Sequence, residues 1–154
     1  MTKPMRTITT ALSVLLLGFA SVNASEIDLK GIGCVMSGKE VSAETSSEYK
    51  DAKVYFCCGG CASGFAKNQA KYAVKANHQL VATKQYEQVA CPFSGRDVNP
   101  DIHLTIAGTK VGFCCDGCKG KVASGKDDAA KLKLVFDDKA FAKGFKKAEK
   151  KVSP

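Results

Sequence analysis

Apolar positions along the chain change their period several times, and each change marks an element. Ile8 to Ala20 is mostly apolar, follows Lys3 and Arg6, and is followed by Val22, Asn23 and Ala24. That order of charge, apolar stretch and small residues predicts an export signal over 1–24, cleaved after Ala24. The stretch is 13 residues with three hydroxyl residues in it, short of the roughly 20 apolar residues that span a bilayer. No later segment is long or apolar enough, so no membrane span is expected once the signal is removed.

Further along, β-rich runs recur. Val41 and Val98 each mark a short strand. Lys53 to Phe56 and Lys110 to Phe113 mark a second, the latter entered through Ile102 to Ile106 and a turn at Gly108. Each run enters a Cys-Cys-x-Gly-Cys corner. Past the first corner, Ala62, Phe65, Ala66, Ala70 and Ala73 fall at helical spacing and predict a helix reaching about Asn77. Past the second, Ser124-Gly125 interrupts the helix, and a further one is expected from about Ala129 into the tail. There Lys139, Lys143, Lys146, Lys147, Lys150 and Lys151 surround Phe141, Phe145 and Ala148 at helical spacing, a solvated face over a small apolar stripe. Gln79 to Gln88 fits either a short strand or a second helix.

These elements belong to an internal repeat. Shifting the chain by 57 residues aligns Cys34–Cys61 with Cys91–Cys118 without a gap, with 11 identities in 28 positions. Cys34, Ser37, Gly38 and Val41 match Cys91, Ser94, Gly95 and Val98, while Lys39-Glu40 matches Arg96-Asp97 in charge. All eight cysteines fall inside the repeat. The organisation expected is a signal at 1–24, a first repeat at 25–84 and a second at 85–154 with a basic C-terminal helix. The fold class is α+β, two small cysteine-rich units each made of a short β-hairpin followed by a helix.

Composition narrows the class. A chain of 154 residues with 45% hydrophobic and 25% charged content is that of a globular protein. Losing Lys3 and Arg6 lowers the net charge from +8 to +6, spread too widely, and without a recognition motif, to indicate nucleic acid. An export signal places the protein in the periplasm or outside the cell. Gly31-Ile32-Gly33-Cys34 faintly resembles a lipoprotein site, but Glu26, Asp28 and Lys30 separate it from the apolar stretch, so lipidation is rejected.

The cysteines carry the chemistry. A unit of 57 residues is in the range where a hydrophobic core rarely supplies more than about 3 to 5 kcal/mol, and small domains then add disulfides or a metal. Each repeat has one cysteine, 22 intervening residues, then Cys-Cys-x-x-Cys at a strand-to-helix corner. That spacing lets a distant turn and a local knuckle converge on one ion. Thiolates select zinc, Cu(I) or a similar thiophilic ion, one per repeat. The candidate ligands are Cys34, Cys57, Cys58 and Cys61, then Cys91, Cys114, Cys115 and Cys118, with three or four sulfurs per site left open. Neighbouring cysteines have Cα atoms about 3.8 Å apart, too close for an unstrained bridge, although Cys34 with one of the pair, or Cys58 with Cys61, remains open.

The residues also resemble a known family. Cys-x-x-Ser-Gly followed by Val-Tyr-Phe-Cys-Cys-x-x-Cys-x-x-x-Phe, from Cys34 to Phe65, and its counterpart from Cys91 to Cys118 are similar to the YHS and TRASH-like heavy-metal-binding domains. The resemblance covers most of the mature chain as two copies. It implies a small treble-clef-like, zinc-ribbon-like fold and a role in metal binding, sensing or trafficking, with a partner protein for metal transfer. It also implies Cys34, Cys57 and Cys61, and Cys91, Cys114 and Cys118, as ligands. The chain departs from it at Ser37 and Ser94, where many relatives have a cysteine, and at Cys58 and Cys115, where many have serine.

Competing readings are a disulfide-stapled binding or interaction module and a thiol-disulfide redox protein. The second lacks the βαβ context of thioredoxin-like proteins. Neither Cys-x-x-Cys is followed by the histidine that covalent haem attachment requires. His78 and His103 occupy no matched repeat positions and read as structural or solvent-exposed, and Ser37 and Ser94 read as shaping their turns. No hydrolase or nucleotide motif is present, so the protein is not expected to be an enzyme.

Overall fold

The computed structural model describes residues 27–149; the expected export signal and the last lysines of the tail lie outside them. The described chain is mixed α+β. A hairpin of β1 (Ser42–Tyr49) and β2 (Ala52–Phe56) leads into α1 (Gly59–Lys67), α2 (Gln69–Ala82) and the short β3 (Tyr86–Gln88). A second hairpin of β4 (Asn99–Ile106) and β5 (Thr109–Phe113) leads into α3 (Asp116–Ala123), α4 (Asp128–Phe136), α5 (Asp138–Gly144) and β6 (Phe145–Lys147). Each hairpin is an antiparallel two-stranded sheet, and β3 pairs antiparallel with β6 to make a third.

The 57-residue offset holds in the backbone. Both hairpins carry the same irregularity in register, between Ser42 and Ser46 in one and Asn99 and His103 in the other. Both close through two consecutive residues at positive φ, Lys50 and Asp51 at 48° and 57° and Ala107 and Gly108 at 45° and 82°. That is the turn whose twist suits a two-residue hairpin. The first repeat makes it without glycine, so its sequence resembles a polar connection rather than a hairpin. Strand β1, rich in serine and glutamate, owes its extended form to pairing with the strongly β-forming β2 rather than to its own propensity.

Three further expectations change. The helix after the first corner breaks at Asn68 (φ −141°, ψ 45°) and resumes as α2, which runs past Asn77 to Ala82. The ambiguous stretch is therefore a helix end, a turn and the strand β3. The tail is not one helix: α5 ends at Gly144, and Phe145 starts a strand. At Gly144 an added Cβ would lie 2.9 Å from Pro92 Cα, so the chain passes close to the Cys91 turn where no side chain fits.

Glutamines guard the free strand edges. Tyr55 N–H donates to Gln79 Oε1 (2.7 Å), and Gln79 Nε2 donates to the carbonyls of Tyr55 (3.0 Å) and Gly33 (3.1 Å). Gln85 pairs in the same two-way manner with Lys53, and Gln88 with Gly112. Each side-chain amide stands in for a neighbouring strand, satisfying ladder groups that an open edge would expose. Gln79 also ties β2 to the turn that carries Cys34.

A repeat of 57 residues is expected to have too small a core of its own. Instead one buried cluster runs through both halves, from Cys34, Phe56, Phe65 and Leu80 to Phe113, Val122, Phe136, Phe141 and Phe145. Helix α2 packs against α4, and Asn77 Nδ2 donates to the Phe136 carbonyl (2.9 Å). Lys50 pairs with Asp138 at 3.1 Å. Pooling the apolar surface of two small units buries more of it than either could alone.

Candidate metal centre

Two segments build each centre, a turn and a corner. In the turn, Cys34 N–H donates to the Lys39 carbonyl (2.7 Å) and Gly38 N–H to the Cys34 carbonyl (2.8 Å). Cys91, Arg96 and Gly95 repeat the pattern at 2.8 Å in both bonds. Gly38 and Gly95 sit at φ +76° and +70°, a conformation that costs glycine little and other residues more. The Ser37 and Ser94 hydroxyls accept from the amides of Lys39 and Arg96, so both shape the turn as their position suggests.

At the corner, Phe56 and Phe113 are fully buried and anchor the ends of β2 and β5. Cys58 and Cys115 are extended N-cap residues (φ −162° and −161°), after which the chain winds into α1 and α3. One residue before the cap and the third helical residue then face the same way. The corner thus presents Cys57 with Cys61, and Cys114 with Cys118, to the cysteine of the turn.

The result is two sulfur triads, Cys34 with Cys57 and Cys61 and Cys91 with Cys114 and Cys118, in each of which all sulfurs lie within 4.8 Å of one another. Cys57 and Cys61 Sγ are 3.8 Å apart, Cys114 and Cys118 Sγ 3.7 Å. A tetrahedral zinc with Zn–S bonds of about 2.3 Å has an S···S edge of about 3.8 Å. The spacing therefore fits a thiolate-bound ion. Cys58 and Cys115 lie outside the triads but close to them, at 3.9 Å from Cys57 Sγ and 3.7 Å from Cys114 Sγ. All eight cysteines are among the described residues, and all are free thiols.

Hydrogen bonds distribute charge over the sulfurs. Burial pushes the Cys34 thiol up, but bonds from the Ser37 hydroxyl and the amides of Ser37, Cys57 and Met36 outweigh it and bring it down to about 6. Cys91 behaves alike, burial again opposed by Ser94, Cys114 and Phe93, and also settles at about 6. At the corner, the Cys61 amide leads a set of donors that lowers Cys58, and the Cys118 amide does the same for Cys115. Contact with Cys58 followed by burial pushes Cys61 up to about 12, and burial first, then Cys114 and Cys115, does so for Cys118. Each triad thus pairs one thiol held down, Cys34 or Cys91, with one pushed up, Cys61 or Cys118, whose proton a bound cation would displace.

Three contacts were not evident from spacing. Ser37 Oγ lies 3.1 Å from Cys57 Sγ and Ser94 Oγ 3.2 Å from Cys114 Sγ, so both serines touch a triad sulfur as well as shape a turn. Arg96 Nη2 donates to Cys114 Sγ at 3.5 Å; Lys39, its repeat partner, is exposed like Arg96 but makes no such bond among the described residues. The identity of Ser37 with Ser94 and the charge match of Lys39 with Arg96 were the available signals. His78 bonds Thr109 Oγ1 (2.9 Å) and sits edge-on to Phe136, and His103 is exposed; neither joins a triad.

No protein-family model, curated protein or solved structure matches the chain. No helix among the described residues is long and apolar enough to cross a membrane.

Proposed function

We propose that the protein binds metal, holding one thiophilic ion, zinc or Cu(I), at each triad. The observation that carries this reading is duplication. Two segments far apart in sequence converge twice, in one register, on three sulfurs that all lie within 4.8 Å of one another, with one edge of each triad at 3.8 or 3.7 Å, the length a tetrahedral ion requires. Ordinary packing of apolar cysteines has no need to repeat that geometry. Soft thiolates favour zinc or Cu(I) over magnesium or calcium.

The reading extends to a treble-clef-like turn and corner in each half, in line with the resemblance to YHS and TRASH-like domains. It extends also to an exported protein that handles ions rather than transforming substrates, with a partner protein at one end of the transfer. Elemental analysis of protein isolated from its native compartment, with thiol titration on the same sample, tests it. About two equivalents of zinc or copper per chain is the expected result. Protein that carries no ion, takes none up when reduced, and has its thiols paired covalently would favour the disulfide-stapled reading instead.

A further inference from the structure

The vicinal cysteines differ in placement in a way the triads do not use. Cys34 and Cys91 are 3% and 0% exposed and form the floor of each site. Cys57, Cys61 and Cys114 are half-buried, and Cys118 is buried. Cys58 is exposed and Cys115 partly so, each at the N-cap of a helix, with its sulfur within 3.9 Å of a triad sulfur. A triad supplies three of the four ligands that zinc takes in a closed site. The nearest remaining sulfur at each centre stands on the solvent side.

Packing of the rest of the molecule bears on what the ion does. Phe56, Phe65, Phe113 and Val122 flank the two corners and are fully buried in a cluster that joins both repeats. Backbone bonds close the turns, and Gln79 ties the first turn to β2. The ion is not asked to replace a missing core. Cargo at a surface site needs an exit, and an exposed ligand provides one.

Resting on the metal-binding reading above, we propose that Cys58 and Cys115 are exchangeable fourth ligands, through which each ion passes to or from a thiol-bearing acceptor. The acceptor is a protein or peptide that presents paired thiols. In the exchange an acceptor thiol loses its proton to solvent and its sulfur bonds to zinc. The Zn–S bond to Cys58 or Cys115 breaks, and that thiolate takes up a proton. Zinc stays divalent and no electron moves. The three Zn–S bonds of the triad then break in turn, each thiolate taking up a proton, while the second acceptor thiol loses its proton and bonds to zinc and water or the thiols of another acceptor fill the remaining positions. Site one exchanges faster, because Cys58 is the more exposed of the two and Arg96 lies against Cys114 at site two.

The test uses the full chain loaded with zinc, a synthetic peptide bearing Cys-x-x-Cys as acceptor, and the double variant Cys58→Ser with Cys115→Ser. Wild type is expected to bind two equivalents, pass them to excess peptide, and keep its circular dichroism after the ion leaves. The double variant is expected to keep two equivalents while losing affinity by roughly tenfold, the lower end of what loss of a supporting group costs a metal site. Its transfer to the peptide should speed up by a similar factor. In zinc-loaded wild type, limited alkylation should modify Cys58 first and Cys115 second. A double variant matching wild type in both affinity and transfer rate would overturn the exchange role and leave the metal site standing. So would wild type that unfolds on losing zinc. Wild type that binds no zinc at all would remove the metal-binding reading itself.

Discussion

In the first repeat Phe65 fills the space beneath the corner, with its ring 5.2 Å from Phe56, 5.5 Å from Tyr49 and 6.5 Å from Tyr72. In the second, Val122 takes the matching position, and Phe113 stacks on Phe93 instead, 6.4 Å away. The first repeat continues into the 14-residue α2; the second turns through Ser124 and Gly125 into α4, whose N-cap Asp127 accepts from Ala130 N–H. Gln79 from a helix covers the edge of β2, while Gln88 from a strand covers that of β5. Despite these differences the two triads have Cys57–Cys61 and Cys114–Cys118 separations within 0.1 Å of each other, 3.8 and 3.7 Å. Site geometry is therefore set by the turn, the hairpin and the corner. What lies behind them can vary so long as it buries the inner face.

The most disruptive way to separate the two repeats is to remove one ligand from each in turn. Cys57→Ser should reduce bound zinc from two equivalents to one, and Cys114→Ser should do the same at the other site. The double variant should hold none, as read by native mass spectrometry. Equal loss of both ions from either single variant would mean that the halves share one site, against the separation of the triads.

Next in size comes the packing behind the corner. Phe65→Ala empties a fully buried aromatic site and should cost roughly 3 to 5 kcal/mol. Val122→Ala removes two methyl groups and should cost roughly 2 kcal/mol. Urea unfolding measures both. Because one core spans the repeats, a single transition is expected in each variant. Two transitions would show that the halves unfold apart.

These contrasts also explain what could be read from sequence. The hairpin strands β2 and β5, the corners and the cysteine register were legible, because Val54, Phe56, Val111 and Phe113 and the doubled cysteines are local signals. Strand β1 was not, since its serines and glutamates take the extended form only once β2 is beside them. The tail misled for a related reason. Phe141 and Phe145 are four apart, as in a helix, and both are buried, yet Phe145 lies in a strand. It packs at 5.3 Å from both Phe136 and Phe141, a position set by its partner β3 and by the close passage of Gly144. The shared core was invisible because no local pattern tells which half supplies the cover.

A finer comparison uses protons. Metal-free protein should show two thiols that ionise near pH 6, Cys34 and Cys91, where an ordinary thiol has a value of 9.0. Folding lowers both, so each stabilises the metal-free fold fully above pH 9, less as the pH falls, and not at all below about 6. Thiolate absorbance followed against pH should lose one of these two steps in Cys34→Ser and the other in Cys91→Ser. Unchanged titration in either variant would assign the low value to another sulfur.

The smallest expected effect lies in the charge beside each site. A zinc ion with three thiolates carries a net negative charge, and with four a larger one, so a nearby cation favours the loaded state. Arg96 supplies it at site two through its contact with Cys114, whereas Lys39 makes no such contact with a site-one sulfur among the described residues. Both positions face water, where charge pairs are weak, so Arg96→Lys should lower zinc affinity at site two by no more than about fivefold. Site one should be unmoved, and Lys39→Arg should raise it by a similar or smaller factor. Raising the salt concentration should shrink both differences, since exposed charges are screened. Competition titrations against a chelator, with the other site silenced by Cys57→Ser or Cys114→Ser, resolve changes of that size. If Arg96→Lys instead abolished binding at site two, the guanidinium would be holding the geometry of Cys114 rather than balancing its charge.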